Sequence, residues 1–405
     1  MKQALKYFQD GTHRALNPSK TLVRVEQHLD AMGITRIANV TGLDRIGIPV
    51  VNATRPNSKS LSVSQGKGLT LDAAKASATM EAIEGYHAEN IISDIKTATY
   101  TEMRHSYKVC DVSNLAFLKD TKFDPDKKSQ WICGINLLTN TEIWVPYETV
   151  HTDYTLPRKP EAGCFVASTN GLASGNHLLE AQIHGICEVI ERDSNTLWEH
   201  LSFQEKDGSY INLSTVEDSA CESVIEKLHA AEMEVAVWNM TSDIGIPTFY
   251  CLILDKKFEN GHSGAGAGTH PVKEVALLRS LTEAVQVRTN YITGARDDLE
   301  HNEYSIEGIA QKNRYARKLI YSDRSKQQNF QSIPHFHFNT FEEDLEMLLE
   351  QLKKVGIQEV ISVDLTKPEF DIAVTRMIIP GLEGPHDHND YCMGQRAIQK
   401  RRRYL

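Results

Sequence analysis

The chain has no apolar stretch approaching the roughly 18 residues that a membrane span needs. Its most apolar short run, Phe249-Tyr250-Cys251-Leu252-Ile253-Leu254, has the length of a buried strand. The N-terminus, Met1 to Asp10, lacks the apolar core of a signal peptide. Cysteine is sparse: seven residues, an odd number, scattered and without a C-x-x-C pair. That pattern speaks against a disulfide framework and a structural zinc site, and it predicts reduced thiols in a cytoplasmic protein. Basic residues are outnumbered, 44 against 54 acids, for a formal charge of −10. A general nucleic-acid binder leans the other way, so neither nucleic acid nor a membrane is expected as a partner. There is no fixed-period repeat and no low-complexity block.

What is present suffices for a large core. Of the 405 residues, 40% are hydrophobic and 24% charged, which excludes a mainly disordered chain. The length allows two or three domains or one intertwined unit. No linker of more than a few residues divides it. We therefore expect a catalytic unit over residues 61–385, an N-terminal segment 1–60 packed on it, and a basic tail over 386–405.

Punctuation and periodicity outline the elements. Pro18 and Gly33 bracket a first helix over about 20–32. Ile48 to Ala53 reads as a strand, residues 55–60 as a polar loop, and Ser64-Gln65-Gly66-Lys67-Gly68 as a turn into a long helix over about 71–90. Trp131 to Tyr147 reads as a hairpin turning at Asn140. A second long helix covers about 177–201. A helix over 215–233 and strands over 235–240 and 247–254 follow. Ala265-Gly266-Ala267-Gly268 reads as a glycine-rich loop before a third long helix over about 271–293. A helix over 341–355 and strands over 359–364 and 372–374 close the pattern. Helices alternate with strands, but hairpins are present too. The expected class is α/β of the mixed α+β kind, with long helices packed on mixed sheets.

The three long helices each carry polar groups on one face. At 100° per residue, Ser77, Glu81 and Glu84 fall within about 60° of each other, while Met80, Ile83 and Tyr86 point away. On the second helix Asn176, Glu180, Glu191, Glu188 and Arg192 share one side, opposite Leu179, Ile183, Ile186, Val189 and Ile190. On the third, Arg279 and Glu283 stack four residues apart. A solvated polar face accounts for such periodicity as well. Two features favour a site. The faces are short of lysine, and Glu81/Glu84 and Glu188/Glu191 set like charges one turn apart, which asks for a cation from elsewhere. Converging carboxylates suit Mg²⁺, a hard cation that shares its oxygen ligands with substrate phosphates. Asn176 at a helix N-terminal end suits a phosphate.

The run Asn170-Gly171-Leu172-Ala173-Ser174-Gly175-Asn176-His177-Leu178-Leu179-Glu180-Ala181, continued by His184-Gly185-Ile186-Cys187-Glu188-Val189-Ile190-Glu191-Arg192-Asp193, resembles the signature of the YcaO family. Ser77-x-x-x-Glu81-x-x-Glu84 after Gly66-Lys67-Gly68 matches that family's earlier acidic helix. The resemblance implies a YcaO-type fold that binds ATP and Mg²⁺ without a P-loop or Rossmann motif. Position by position it implies that Ser77, Glu81, Glu84, Asn176, Glu180, Glu188, Glu191, Arg192, Arg279 and Glu283 form the ATP–Mg site. Arg14 and Thr21 stand where some members carry a nucleotide-contacting Lys and Ser. By the same resemblance Glu81, Glu84, Glu180, Glu188, Glu191 and Glu283 serve Mg²⁺, and Arg192 and Arg279 are the catalytic phosphate-binding arginines.

The N-terminal runs Gly11-Thr12-His13-Arg14, Arg55-Pro56-Asn57-Ser58 and Ser62-Val63-Ser64-Gln65-Gly66-Lys67-Gly68 look like the subgroup associated with TfuA proteins and thioamide formation. Azoline-forming members often end in a Pro-x-Pro-x-Pro tail, whereas this chain ends Gln399-Lys400-Arg401-Arg402-Arg403-Tyr404-Leu405. The chemistry implied is attack of a peptide amide oxygen on the γ-phosphate of ATP, addition of a nucleophile to the amide carbon, and loss of phosphate. Sulfide gives a thioamide; a neighbouring Cys or Ser side chain gives an azoline. A peptide or protein substrate, a TfuA-like protein and a second copy of the chain are the implied partners. An azoline-forming cyclodehydratase and a noncatalytic accessory protein of a ribosomal or tRNA modification pathway are the alternatives.

Other signals carry less. Gly264-Ala265-Gly266-Ala267-Gly268-Thr269-His270 fails the dinucleotide template at Thr269. Gly66-Lys67-Gly68 is no Walker motif, though it could touch phosphate. Cys187 reads as a packed core thiol. His386-Asp387-His388-Asn389-Asp390 reads as exposed polar sequence more than a metal site. The tail with Arg396, Lys400, Arg401, Arg402 and Arg403 reads as a solvated end, or as a dock for an acidic partner.

Overall fold

Short apolar segments pair edge to edge, almost always antiparallel. The structure, a computed structural model, describes residues 4–157, 163–258, 260–386 and 391–402. Strands β1 (Arg36–Asn39), β2 (Val50–Thr54) and β3 (Val63–Lys67) form one sheet in that order. Strands β4 (Ile95–Ala98), β5 (Ser129–Asn136), β6 (Thr141–Pro146), β7 (Leu172–Gly175), β13 (Ile361–Asp364) and β14 (Ala373–Ile378) form the largest sheet, in the order β4-β5-β13-β14-β7 with β6 on β5. Strands β9 (Met233–Asn239), β10 (Thr248–Asp255) and β11 (Gly264–Thr269) form a third. The two-residue strands β8 (Ile211–Asn212) and β12 (Gln328–Asn329) are the one parallel pair of strands among the described residues, with an isolated parallel bridge between Val109 and Trp144 besides.

Ten helices lie among the described residues: α1 (Pro18–Glu26), α2 (Leu71–Glu89), α3 (Tyr100–Ser106), α4 (Leu178–Glu199), α5 (Phe203–Gly208), α6 (Ser219–Ala230), α7 (Lys273–Thr293), α8 (Ile306–Ile320), α9 (Phe341–Lys354) and α10 (Gln395–Arg402). The three long ones each cover a different sheet. Helix α2 packs on β2 and β3, α4 on β14 and β7, and α7 on β11 and β10. Apolar flanks fill the spaces: Ala74, Ala78, Ala82 and Ile83 beneath α2; Ile183, Ile186 and Ile190 of α4 against α9; Leu277, Leu281 and Ala284 of α7 against Phe249, Cys251 and Ile253. The expected mixed class holds, and the three acidic helices lie close to their expected bounds.

Several expectations need correction. Residues 64–68 are not a turn; most of them are strand β3. A Cβ on Gly66 would lie 2.1 Å from the Ala78 nitrogen and 2.2 Å from the Ala74 oxygen, so glycine here lets α2 press its backbone onto the strand. Residues 265–268 are likewise not a loop but part of β11. A Cβ on Gly264, Gly266 or Gly268 would meet α7 backbone at 2.0, 2.3 or 2.1 Å. Helix α1 stops at Glu26, and turns carry the chain to Gly33, whose φ of +70° suits glycine. In the tail, Arg396 is not solvated: its guanidinium donates to both oxygens of buried Asp193, at 2.8 and 2.9 Å. The histidine-containing run 386–390, beyond His386, and Arg403 lie outside the described residues.

Candidate functional site

The polar faces of α2, α4 and α7 meet in one cleft. Glu84 of α2 reaches the edge strand β7, where the Ser174 amide and hydroxyl both donate to its Oε1. Glu81, one turn earlier, and Glu188 of α4 are close enough to raise one another's proton affinity and that of Glu84. Glu191 of α4 lies beside Glu283 of α7 in the same way. Ser77 is half-buried one turn before Glu81.

Cations are interleaved with these acids. Lys67, at the end of β3, lies on the Glu283 carboxylate. Arg192 is 3.5 Å from Glu191 and 4.0 Å from Glu188. Arg279 of α7 reaches across to α4, its Nη2 at 2.9 Å from Nε2 of His184. Glu188, Glu283, Lys67 and Arg192 keep between 20 and 32% of their side-chain surface open to solvent, which makes this a cleft and not a core.

The N-terminal segment closes one end. Arg14 lies 3.5 Å from one oxygen of Glu180, and the Ala15 amide donates to the other at 2.9 Å. Thr21 of α1 and Asn176, just before α4, exchange hydrogen bonds at 3.0 and 3.2 Å. Glu180 thus has both its oxygens engaged by protein, as does Glu283, whose oxygens take Lys67 and the Ala267 amide.

Burial and the neighbouring acids raise the proton affinity of most of these carboxyls, Glu283 being the exception. Burial first, then Glu81 and Glu188, push Glu84 up to about 8 despite the Ser174 bonds. Burial drives Glu188 to about 7 against the pull of Arg192, and Glu81, on the solvent-exposed rim of the cleft, is raised to about 7 by desolvation against Lys67. Glu191 is also raised, by burial and then by Glu283, against Arg192. Burial acts on Glu283 too, but Lys67 and Arg192 outweigh it and hold that carboxyl below its ordinary range. Carboxylates that hold protons for want of positive charge fit a divalent cation. Among the described residues no three acid, histidine or cysteine side chains form a ready-made metal cage. Mg²⁺ does not need one, because it takes one or two carboxylates and completes its shell with water and phosphate.

Eleven of the twelve residues singled out from the sequence lie at this cleft or at its N-terminal wall; Ser77 stands half-buried one turn before Glu81. Three further residues belong to the site. Lys67, in the Gly66-Lys67-Gly68 run that could touch phosphate, stands on strand β3 and not in a turn. His184 lies on α4 at about 40° on the arc between Glu180 and Glu188, so helical arithmetic places it on the polar face. Arg376 of β14 acts on Glu188 from below, with Nε and Nη1 buried and without hydrogen-bond partners among the described residues; no sequence signal marks it. Cys187 is buried, and burial pushes its thiol up to about 12, as a packed core thiol requires.

A cleft walled by six carboxylates and several cations, with no phosphate-cradling loop among the described residues, has the chemistry to hold a polyanion through divalent cations. The sequence model of the family described as YcaO cyclodehydratase, ATP- and Mg²⁺-binding, matches residues 65–383. The chain belongs to the YcaO family, an enzyme family that activates amides with ATP, and its cofactors are ATP and Mg²⁺. An uncharacterized protein in the tfuA 3′ region of Rhizobium leguminosarum bv. trifolii is 33% identical, over 98% of this chain and 95% of the relative. An uncharacterized protein of Methanothermobacter thermautotrophicus is 34% identical, over 91% and 95%. Among solved structures, YcaO from Methanopyrus kandleri bound with AMPPCP and Mg²⁺ shares the fold, with a TM-score of 0.76 and 22% identity over 97% of this chain and 99% of that one. A heterocyclase in complex with substrate and cofactor scores 0.78 at 20% identity; it is matched by 95% of this chain, which spans about half of its length, 54%.

Proposed function

We propose that the protein converts a peptide backbone amide into a thioamide, using Mg·ATP to activate the amide oxygen and a sulfur donor delivered with a TfuA-like partner. The observation that carries the reading is the cleft itself, where acids of α2 and α4 with raised proton affinity face one another beside Glu283 of α7, which is held low by Lys67 and Arg192. Bound Mg·ATP supplies the phosphoryl group that turns the amide oxygen into a leaving group.

The chain's own residues have defined tasks in this reading. Glu81, Glu84, Glu188 and Glu191 would give up protons to hold Mg²⁺; Glu283, already favoured as a carboxylate, and Glu180 would join them by exchanging Lys67 and Arg14. Arg192 and Arg279 are the cations for phosphate oxygens, where charge develops during transfer. Ser77, Asn176 and Thr21, with Arg14, offer hydrogen bonds to the nucleotide. Catalysis is then positioning and charge neutralisation, with no protein nucleophile. The inert thiol of Cys187 agrees with that. The thioamide outcome is supported by the relative in the tfuA 3′ region and by the N-terminal runs shared with that subgroup.

The test mixes the protein, Mg·ATP, sulfide and a ribosomally made candidate peptide, with and without a TfuA-like protein. Release of ADP with a peptide heavier by the exchange of one oxygen for sulfur is expected. Loss of one water from the peptide would replace the thioamide reading by azoline formation. Failure to bind ATP, or binding that survives Glu191→Ala, would end the reading altogether.

A further inference from the structure

The cations of the cleft are not held alike. Lys67 lies on Glu283, Arg192 on Glu191 and Glu188, and Arg14 on Glu180. Each therefore spends part of its charge on a carboxylate of the protein. Arg279 forms no ion pair among the described residues, although it stands in the same acidic cleft. Its side-chain partner is the imidazole of His184, at 2.9 Å from Nη2. Arginine is always protonated and only donates, so Nε2 of His184 accepts and the ring proton sits on Nδ1. Burial and then the positive charges of Arg279, Arg14 and Lys67 keep that ring neutral. His184 projects from α4 between Glu180 and Glu188, one turn from each, where a glutamate would have been an equally good anchor geometrically.

A neutral anchor and a charged anchor have different consequences. A carboxylate would fix the guanidinium and cancel most of its field at short range. An imidazole fixes it with one hydrogen bond and no ion pair, so its charge acts on Glu188 and Glu191 only at longer range. We propose that His184 is a positioning residue for the nucleotide site: it aims Arg279 at the phosphates without tying its charge to a carboxylate. The proposal rests on the reading of the cleft as an ATP site.

The experiment is titration calorimetry of Mg·AMPPCP into the full-length protein and three variants. His184→Gln keeps a neutral acceptor and should recover most of the affinity. His184→Leu removes the acceptor and should weaken binding about tenfold, the scale of one hydrogen bond to a charged group. His184→Glu should bind more weakly than His184→Leu, although it holds Arg279 most tightly. In an Arg279→Met background the three substitutions should lose their effect, because the group they position is gone. Melting curves separate these effects from unfolding, and the Gln–Glu comparison stands even if the Leu variant does not fold. Equal affinities across the variants, or a Glu variant that matches the parent, overturn the proposal alone. A parent protein that does not bind Mg·AMPPCP overturns the nucleotide reading as well.

Discussion

Both the amide and the hydroxyl of Ser174 donate to one oxygen of Glu84, at 2.8 and 2.7 Å. The edge strand β7 thereby fixes the rotamer of an acid on α2 and leaves its second oxygen toward the cleft. Removing the hydroxyl alone keeps the amide bond and the backbone path. Ser174→Ala should therefore weaken Mg·ATP binding by about tenfold, in the range typical of groups that orient metal ligands, with little change in melting temperature. Calorimetry against a melting curve checks this; an unchanged affinity would mean Glu84 needs no such orientation.

The pH dependence follows from the raised acids. Glu81, Glu84 and Glu188 titrate at about 7, 8 and 7 in the folded chain, against an ordinary 4.5. Through that window the folded state holds more protons than the unfolded state. Stability of the ligand-free protein should therefore fall as pH rises from about 5 to 8. Mg²⁺ requires the ionised carboxylates, so Mg·ATP should bind more tightly as pH rises over the same range and should expel protons as it binds. Melting with and without Mg·ATP at the two ends of the window, and calorimetry in buffers of different ionisation enthalpy, read both effects.

Glu191 is almost fully buried, at 3% exposure, beside a second carboxylate. Its amide isostere keeps the shape and removes the repulsion. Glu191→Gln should raise the melting temperature of the ligand-free protein by about 1–2 °C while lowering ATP turnover by about a hundredfold or more. A variant that is less stable and equally active would show Glu191 to be a structural acid.

The seam between β11 and α7 tolerates no side chain. At Gly266 a Cβ would stand 2.3 Å from the Ala284 nitrogen and 2.4 Å from the Ser280 oxygen. Gly266→Ala should cost about 3 kcal/mol or more, because backbone and not a movable side chain is in the way. Since α7 carries Arg279 and Glu283, surviving folded protein should also bind nucleotide poorly. Denaturant melts and calorimetry on the same preparation test the pair of effects.

How much of this was readable beforehand depended on whether the signal was local. The acidic faces of α2, α4 and α7 follow from helical spacing alone, and their bounds fall within two residues of expectation. The glycine strands were misleading because glycine locally signals a turn, whereas here it answers to a helix backbone pressed against the strand. Lys67 is legible as a possible phosphate contact, but its pairing with Glu283, 216 residues away, is not. His184 was visible on the arc between Glu180 and Glu188, but a single histidine among core residues carries no sign of its partner on α7. Arg376 had no signal at all, since only the pairing of β14 with β7 brings it under Glu188. The basic tail looked like a solvated end because its counterparts, Asp193 and Asp243, are distant in sequence.

The acids of the cleft come from residues 81–84, 180–191 and 283, with Lys67 and Arg376 from still other parts of the chain. During synthesis a growing polypeptide would present the first two groups long before the helix bearing Glu283 left the ribosome. Nascent chains should thus be unable to consume nucleotide, and activity should emerge late and all at once.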